Sequence, residues 1–346
     1  MIDLTEEEIR PKRFDSEKKA ALQRDLDWLT ARVSGFVFVD CPACGSAEHT
    51  TAYHKYGFRF VQCSACRTAY MNPRASQKTM AEFYGNSSLY QFWNSHIFPA
   101  TREIRKEKIF RPRVRRILDL CDKFGVRKNV LIDVGAANGS FCEEAIDSNS
   151  FSRVIAVEPS HALAETCRQL GIETMEIPIE HCDGFEIGAD VVTSFETIEH
   201  VFSPADFIAK CRQLLAPGGI LVLTCPNYEG FDIQVLGVSS DSLDAEHVNL
   251  LNPASLTILM ERQGFDVIEC STPGELDVEL VHEKLMAGEF DASDNAFLRC
   301  LLKDRYAELR RPFQEFLIRN RLSSHMFMVA RYPGKSGRPF SSGMPA

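Results

Sequence analysis

Residues 130–146, VLIDVGAANGSFCEEAI, constrain the fold of this 346-residue chain more than any other stretch. Branched apolar residues around Asp133 are typical of a strand buried on both faces, GAANG supplies a tight turn, and SFCEEAI resumes at helical spacing. About twenty residues past Gly139, the run RVIAVEPS predicts a second buried strand that ends at Glu158. The segment therefore predicts a β-α-β unit of a parallel α/β sheet.

The carboxyl ends of these two strands indicate the ligand. An acidic residue at the tip of the second strand can accept both hydroxyls of a ribose, so Glu158 predicts an adenosine-containing ligand. The loop lacks the G-x-G-x-x-G spacing of a dinucleotide site, and Asp133 beside it would repel a pyrophosphate. An acidic strand end instead suits the ammonium group of an amino acid.

This unit resembles the first motif of the class I methyltransferases that use S-adenosylmethionine, an acidic residue followed by a short Gly-rich loop. The matching positions are Asp133, Gly135, Ala136, Asn138 and Gly139. Residues 188–227 extend the resemblance, because FETIEHV matches the signature that follows the family's fourth strand.

The resemblance implies a donor site with parts on four strands. Glu158 and Pro159 would hold the ribose, and Ile179 and Glu180 would lie beside the adenine. The residues implied near the methionine end are Phe195, Glu196 and His200. For His200, a packing role at the entry of the next helix is an equal alternative.

The fold implied by the family is a Rossmann-like, mostly parallel sheet with an antiparallel edge hairpin, here from strands near 265–270 and 326–330. We place the methyltransferase domain at 129–333, within a resemblance that covers roughly residues 39–332. Some fifty residues between the hairpin strands exceed any hairpin loop. They predict a helical insertion at about 275–322 that either covers the pocket or forms a homodimer contact.

Two Cys-x-x-Cys pairs upstream predict a zinc-binding module at 39–76, after a helical N-terminal extension at 1–38. Their spacing matches two knuckles that close on one tetrahedral Zn²⁺ through Cys41, Cys44, Cys63 and Cys66. Four thiolates leave no open coordination position, so the ion is expected to be structural. The alternatives are four free cysteines in a small hairpin, or a redox pair.

Residues 77–128 predict a helical linker or lid. Its aromatic residues either pack between domains or wall a pocket: Tyr84, Tyr90, Phe92 and Trp93. Residues 102–116 contain eight Lys or Arg against two Glu. This run is either a solvated helix face or a place where Arg111, Arg113 or Arg116 meets substrate phosphates.

The zinc module, its continuation CRTAYMNP at 66–73 and the EH block near 246 resemble a subgroup of these enzymes. That subgroup includes sugar methyltransferases of antibiotic and bacterial surface-polysaccharide pathways, which implies a sugar or nucleotide-linked sugar as acceptor, methylated at oxygen or carbon. It also implies that His247 is the general base, oriented by Glu246 or Asp244. The alternative is that His247 hydrogen-bonds the backbone of its own loop.

Composition limits the other function classes. A net charge of −9 and a pI near 5.6 argue against a nucleic-acid binder. An RNA methyltransferase that uses the zinc module to bind nucleic acid is nevertheless the second hypothesis. A noncatalytic relative that binds the nucleoside is the third. The charged N-terminus lacks the apolar core of a signal peptide, and we expect a cytoplasmic protein without a membrane span, its twelve cysteines reduced. A Gly/Ser/Pro-rich tail at 334–346 predicts disorder.

Overall fold

The computed structural model of the chain describes residues 4–182 and 187–334. Its centre is a seven-stranded sheet in the order β10-β11-β8-β7-β4-β5-β6. The strands of this sheet are β4 (Val130–Val134), β5 (Arg153–Val157), β6 (Glu173–Met175), β7 (Ala189–Phe195), β8 (Leu215–Pro226), β10 (Asp266–Ser271) and β11 (His325–Arg331). The expected Rossmann-like methyltransferase fold is confirmed.

The strands β4 to β8 run parallel, and β11 is inserted antiparallel between β8 and β10. Buried apolar residues on both faces of β4, β5 and β7 explain their continuous apolar runs, since helices cover the sheet on both sides. The order reverses between β4 and β7, so the carboxyl ends of these strands flank a crevice where α/β sheets bind ligands.

Helices connect and cover these strands. They are α1 (Glu6–Ile9), α2 (Asp15–Thr30), α3 (Gln77–Asn86), α4 (Ser88–Phe92), α5 (Phe98–Arg105), α6 (Arg111–Phe124), α7 (Ser140–Asp147), α8 (His161–Gln169), α9 (Pro204–Leu214), α10 (Phe231–Leu236), α11 (Pro253–Arg262), α12 (Asp277–Met286), α13 (Ala296–Arg299) and α14 (Tyr306–Arg319). Ser203 caps α9 by accepting from the backbone N–H of Asp206, and Asn252 caps α11 by accepting from that of Ser255.

The Gly-Gly pair at 218–219 lies in a bulge near the start of β8. Helix α9 ends at Leu214, and Leu215 already pairs with Ala189 of β7. The next pair is Val191 with Ile220, so residues 216–219 bulge out of the ladder. An added Cβ at Gly219 would lie 2.9 Å from the carbonyl oxygen of Ala189, which explains a glycine at this close approach.

The four cysteines lie at one end of a second, smaller sheet. Its strands β1 (His49–Lys55), β2 (Phe58–Cys63) and β3 (Ala69–Met71) form an antiparallel meander, and Cys63 is the last residue of β2. A fourth strand, β9 (Asn249–Leu250), comes from the segment between β8 and α11 and pairs antiparallel with β3. The small sheet is therefore shared by the N-terminal part of the chain and the part that carries the large sheet.

Helices α4, α5 and α6 are joined by π-helical turns at Trp93–Ile97 and Lys106–Phe110, so residues 88–124 run as one helical rod. Between β10 and β11 lie α12, α13 and α14, which share a small apolar core with α10. Within the described ranges 4–182 and 187–334, no helix is long and apolar enough to cross a bilayer. The tail predicted to be disordered lies outside the described residues, apart from Gly334.

Candidate active site

The loop after β4 passes close to the end of β7. Gly135 has a φ of 78°, and a Cβ at this position would lie 2.5 Å from Oγ1 of Thr197. Gly139 has a φ of 74°, and its Cβ would lie 2.7 Å from Cδ1 of Ile172. Both glycines are therefore required by backbone conformation and by space. Their loop exposes its backbone at the start of α7, where a ligand can approach.

Asp133, the fourth residue of β4, is only 3% exposed. Its Oδ1 accepts a 2.7 Å hydrogen bond from Oγ1 of Thr193 on the adjacent strand β7, and its Oδ2 accepts from the thiol of Cys142. Burial raises the pKa of Asp133 to about 6, although these hydrogen bonds and the charge of Arg113 oppose the shift. A nearby cation would therefore gain from the ionised carboxylate.

Glu158 follows the last residue of β5 and is 6% exposed. Its Oε2 accepts from the backbone N–H of Ala137 and its Oε1 from that of Ser160, both at 2.9 Å. These bonds fix the carboxylate beside the glycine loop and leave lone pairs on both oxygens. Burial raises the pKa of Glu158 to about 7 despite the two backbone donors.

The end of β7 supplies a second acidic group. Glu196 has a φ of 50°. Its side chain is 42% exposed, but many protein atoms lie around it, so the carboxylate faces a cleft and not the open surface. Burial alone would raise the pKa of Glu196, but the charges of His325 and Arg113 outweigh that effect and lower it. Nδ1 of His325 lies 3.5 Å from Glu196, and Nε2 of His325 lies 3.3 Å from the guanidinium of Arg113.

The remaining predicted donor residues occupy different positions around this cleft. Phe195 packs edge-on against Phe141, with the guanidinium of Arg113 4.7 Å from its ring centre. Oδ1 of Asn138 accepts from the hydroxyl and the backbone N–H of Ser140, the first residue of α7. Ile179 and Glu180 form a 3₁₀ turn after β6, in which Ile179 is buried in the core and Glu180 is half-buried.

His247 lies in the loop that leads into β9. Its Nδ1 is 2.8 Å from the carbonyl oxygen of Ser242, which assigns the proton to Nδ1 and leaves the lone pair on Nε2. Asp244 accepts from the backbone N–H groups of Glu246 and His247, both at 2.8 Å, and its carboxylate is 3.9 Å from Nδ1. His247 therefore does form the hydrogen bond to its own loop that was the alternative to a catalytic role. The same hydrogen bond leaves Nε2 as a proton acceptor.

Glu246 and His200 are enclosed on the inner side of the same loop. Glu246 is 6% exposed, and burial holds the pKa of its carboxyl well above the usual range. The rings of His200 and His247 are 4.7 Å apart. Burial keeps the pKa of His200 well below its usual value, so this imidazole is neutral. His200 combines packing with a position beside the predicted base.

Two tyrosines of the helical segment 77–128 pack against this region. The hydroxyl of Tyr84 donates to the backbone carbonyls of His200 and Glu246, at 3.3 and 3.4 Å. Tyr90 packs edge-on against Tyr84, and its pKa is raised by burial and by the charge of Glu158. These two tyrosines therefore place residues 77–128 beside the His247 loop and within the electrostatic reach of Glu158.

Most of the positive side chains in the basic run 102–116 form ion pairs with carboxylates, and another one borders the cleft. Five of its eight cations pair with carboxylates: Arg102 with Glu143, Lys106 with Glu143 and Glu144, Lys108 with Glu8, Arg111 with Glu144, and Arg116 with Glu269. Arg113 instead faces Phe195 and His325. Of the three arginines considered for phosphate binding, Arg113 alone borders the cleft.

The four cysteines converge at one point. Sγ of Cys41 is 3.4 Å from that of Cys66, Sγ of Cys44 is 3.5 Å from that of Cys63, and all four lie within 4.8 Å of one another. Around a tetrahedral zinc with Zn–S bonds of about 2.3 Å, sulfurs are separated by roughly 3.8 Å. The thiol positions fit one structural Zn²⁺ with four sulfur ligands.

Residues 102–270 match the sequence model of a family described as "Methyltransferase domain". This part of the chain is therefore similar to methyltransferase domains. The match begins in α5 and ends at the last but one residue of β10, so it includes the glycine loop, both strand-end carboxylates and His247.

Curated relatives of the chain align with it over short segments. A probable S-adenosylmethionine-dependent methyltransferase of Mycolicibacterium smegmatis is 35% identical over 82 residues, covering 24% of this chain and 30% of that protein. A ubiquinone biosynthesis O-methyltransferase of Roseobacter denitrificans is 27% identical over 165 residues, covering 40% of this chain and 60% of the relative. The chain thus spans less than two thirds of the length of either relative.

Solved structures with a similar fold include a SAM-dependent methyltransferase from Archaeoglobus fulgidus, with a TM-score of 0.47 and 19% identity over 70% of this chain and 99% of that chain. Another is 1,6-didemethyltoxoflavin-N1-methyltransferase from Burkholderia thailandensis, with a TM-score of 0.45 and 15% identity over 82% of this chain and 98% of that chain.

Sequence reasoning missed several residues that border the cleft of the methyltransferase domain. Thr193 and His325 contact Asp133 and Glu196, and Glu199 lies buried beside His200. One signal for Glu199 was present, because the tripeptide Glu-His-Val occurs at 199–201 and again at 246–248.

Proposed function

We propose that this chain is an S-adenosylmethionine-dependent methyltransferase that acts on a small molecule, namely a sugar or nucleotide-linked sugar of a surface-polysaccharide or secondary-metabolite pathway. The observation that carries the proposal is the pair of buried carboxylates, Asp133 and Glu158, at the carboxyl ends of the adjacent parallel strands β4 and β5. They flank a loop that only glycine at 135 and 139 can form.

In this proposal Glu158 accepts the two ribose hydroxyls of the methyl donor, because its backbone hydrogen bonds hold both oxygens in place. Asp133 attracts the ammonium group of the methionine part. Glu196, facing the cleft beside Phe195, lies toward the methionine end, and the turn with Ile179 and Glu180 borders the adenine.

The reaction transfers a methyl group from a sulfonium to an acceptor nucleophile, leaving a neutral thioether. An alcohol acceptor must lose its proton as the new bond forms, and a C–H acceptor beside a ketone must lose one beforehand. His247 would take that proton on Nε2, since Nδ1 is committed to Ser242. Asp244 supports this role by organising the backbone of the loop.

Arg113 supports a nucleotide-linked acceptor. Its guanidinium borders the cleft, where it contacts the imidazole of His325 at 3.3 Å. Burial lowers the pKa of Arg113, which remains a cation at neutral pH and would gain from a phosphate oxygen. The RNA alternative would need a continuous basic face, and five of the eight cations in the basic run instead pair with carboxylates.

The four cysteines are assigned to one structural Zn²⁺. Its module contributes to the reaction by holding β9, which directly follows the His247 loop.

A transfer assay with methyl-labelled donor tests the proposal. Purified chain is offered nucleotide sugars, the corresponding free sugars and transfer RNA, and labelled product is separated by class. Label in a nucleotide sugar supports the proposal, and loss of that label in Arg113→Met but retention in Arg115→Met would assign the phosphate contact. Label in RNA, with none in any sugar, would contradict the proposed sugar methyltransferase function and would favour the RNA alternative.

A further inference from the structure

The loops around His247 contain a second set of metal-ligand side chains, separate from the four cysteines. We propose that Glu199, His200 and His247 bind one divalent transition-metal ion, and that this ion and a substrate proton compete for Nε2 of His247. The second half of this inference rests on the proposed function of His247 as base.

Geometry brings the three side chains to one point. One ligand atom from each residue lies within 4.8 Å of the other two. Glu199 and His200 belong to the turn after β7, and His247 belongs to the loop before β9. A single ion between them would therefore be bound by two chain segments that are distant in sequence, and it would link the end of the large sheet to the small sheet.

Asn249 fastens these two segments together. Its backbone N–H donates to the carbonyl of Glu199 at 3.1 Å, and its side-chain amide donates to that of Val201 at 2.7 Å. Oδ1 of Asn249 in turn accepts from the buried guanidinium of Arg74 at 2.8 Å. The loops are therefore held in place without an ion, as a preorganised metal site requires.

Glu199 provides the strongest indication of a missing cation. Its side chain is 1% exposed, and neither oxygen accepts a hydrogen bond from another residue in the part of the chain that the structure describes. A buried carboxyl without partners is costly unless it is protonated or meets a cation. The pKa of Glu199 is accordingly raised well above its usual range by burial. A metal ion bound by one of these oxygens would supply the missing positive charge.

The two imidazoles have nitrogens left for the same ion. His247 donates from Nδ1 to the carbonyl of Ser242, an arrangement that metal-ligating histidines commonly show at the nitrogen that does not bind the metal. Nδ1 of His200 is buried without a hydrogen-bond partner among the described residues. Two imidazole nitrogens and one carboxylate form a ligand set that suits Zn²⁺, Fe²⁺, Co²⁺ or Mn²⁺.

The chemical consequence concerns His247. Its Nε2 has one lone pair, which accepts either a proton or a metal ion. An ion at this site would therefore remove the proposed base from the reaction, and methyl transfer would respond to the free metal concentration.

Metal binding can be measured without the methyl donor. Chain that carries zinc on its cysteines is titrated with Co²⁺ and followed by visible absorption and by metal analysis. We expect a second metal equivalent with weak d–d bands and without the thiolate-to-cobalt charge transfer that a four-cysteine site gives. Glu199→Gln should weaken this second equivalent by at least about 10-fold. The matched control, Glu261→Gln on the exposed surface of α11, should bind like wild type.

Glu199→Gln counts as folded if it keeps the first zinc equivalent and the wild-type melting temperature. If this variant is not folded, His200→Gln is used in its place. One metal equivalent in wild type, or equal second-site affinity in wild type and both variants, would overturn the proposal. Inhibition of methyl transfer by added Zn²⁺, relieved by a chelator too weak to remove the cysteine-bound ion, supports the competition. A protein that binds the second ion but no methyl donor would instead contradict the proposed function.

Discussion

Tyr70 of the four-cysteine module pairs with Asn249 in an antiparallel bridge between β3 and β9, two residues after His247. The neighbouring pair is Ala69 with Leu250, and the side-chain amide of Asn252 donates to the carbonyl of Cys66 at 3.0 Å. The cysteine knuckle is thus connected through backbone pairing to the loop that carries the predicted base.

Removal of zinc should therefore impair turnover more than donor binding. In Cys63→Ser, the small sheet loses a zinc ligand at the end of β2, and the pairing of β3 with β9 is expected to loosen. We expect turnover to fall at least about 10-fold, with a lower melting temperature and little change in the dissociation constant of S-adenosylhomocysteine. Cys300→Ser, away from the module, is the control. Full turnover in zinc-free protein would show that the module does not position the His247 loop.

The raised pKa values of Asp133, about 6, and Glu158, about 7, predict how donor affinity depends on pH. Both carboxyls must be ionised to accept the ammonium and ribose groups, so affinity should rise as the pH increases from about 5 to 8. Calorimetry across this range, compared with Glu158→Gln, measures the effect. The variant should show a weaker and flatter profile. Affinity that falls over this range would contradict the assignment.

The same shifts give a stability prediction of opposite sign for the donor-free protein. Both carboxyls have a folded-state pKa above their unfolded value, so their contribution is fully present below about pH 4 and is lost as the pH rises through about 6 to 7. Denaturant unfolding at pH 5 and pH 8 should show a smaller loss of stability in Asp133→Asn than in wild type. An equal loss in both proteins would mean that Asp133 has an ordinary pKa.

Gly135→Ala should abolish donor binding, because the new Cβ would lie 2.5 Å from Thr197 and the backbone has a φ of 78°. Gly171→Ala is a matched control, since Gly171 has a φ of 74° but nothing lies within 4 Å of its Cβ position. Both variants incur the left-handed backbone cost of about 1–2 kcal/mol, so the difference between them isolates the steric clash. Equal donor affinity in the two variants would argue against a tight fit of this loop.

His247→Gln should lower turnover by roughly 10²- to 10⁴-fold, the range typical of a lost general base, while donor affinity stays near wild type. His54→Gln, on the exposed surface of β1, controls for the loss of a histidine. Stopped assays with the acceptor identified by the transfer screen provide the measurement. Wild-type turnover in His247→Gln would remove this residue from the reaction.

The position of the two strand-end carboxylates could be predicted from sequence because each belongs to a local pattern. Asp133 and Glu158 each end a continuous apolar run, and the carboxyl ends of adjacent parallel strands necessarily meet at one edge of the sheet. Strand β9 could not be predicted in the same way. It has two residues, no periodicity, and a partner strand far earlier in the chain.

Ion pairing explains a second limit of prediction from the sequence. The basic run on α5 and α6 reads as one cluster, but its partners, Glu143 and Glu144, lie on α7 and become neighbours only in the folded chain. Glu199 illustrates a third limit, since a Glu-His pair is visible in sequence while the absence of hydrogen bonds to its oxygens from the described residues depends on packing.

The most direct test of the account is calorimetric titration of the chain with S-adenosylhomocysteine, alongside Asp133→Asn and the control Asp190→Asn. Asp190 is also buried, but it lies at the opposite end of the sheet, where it pairs with Arg127. We predict one site per chain, with affinity reduced roughly 10- to 100-fold in Asp133→Asn and unchanged in Asp190→Asn. Absence of binding to the wild-type chain, or equal affinity in all three proteins, would contradict the account.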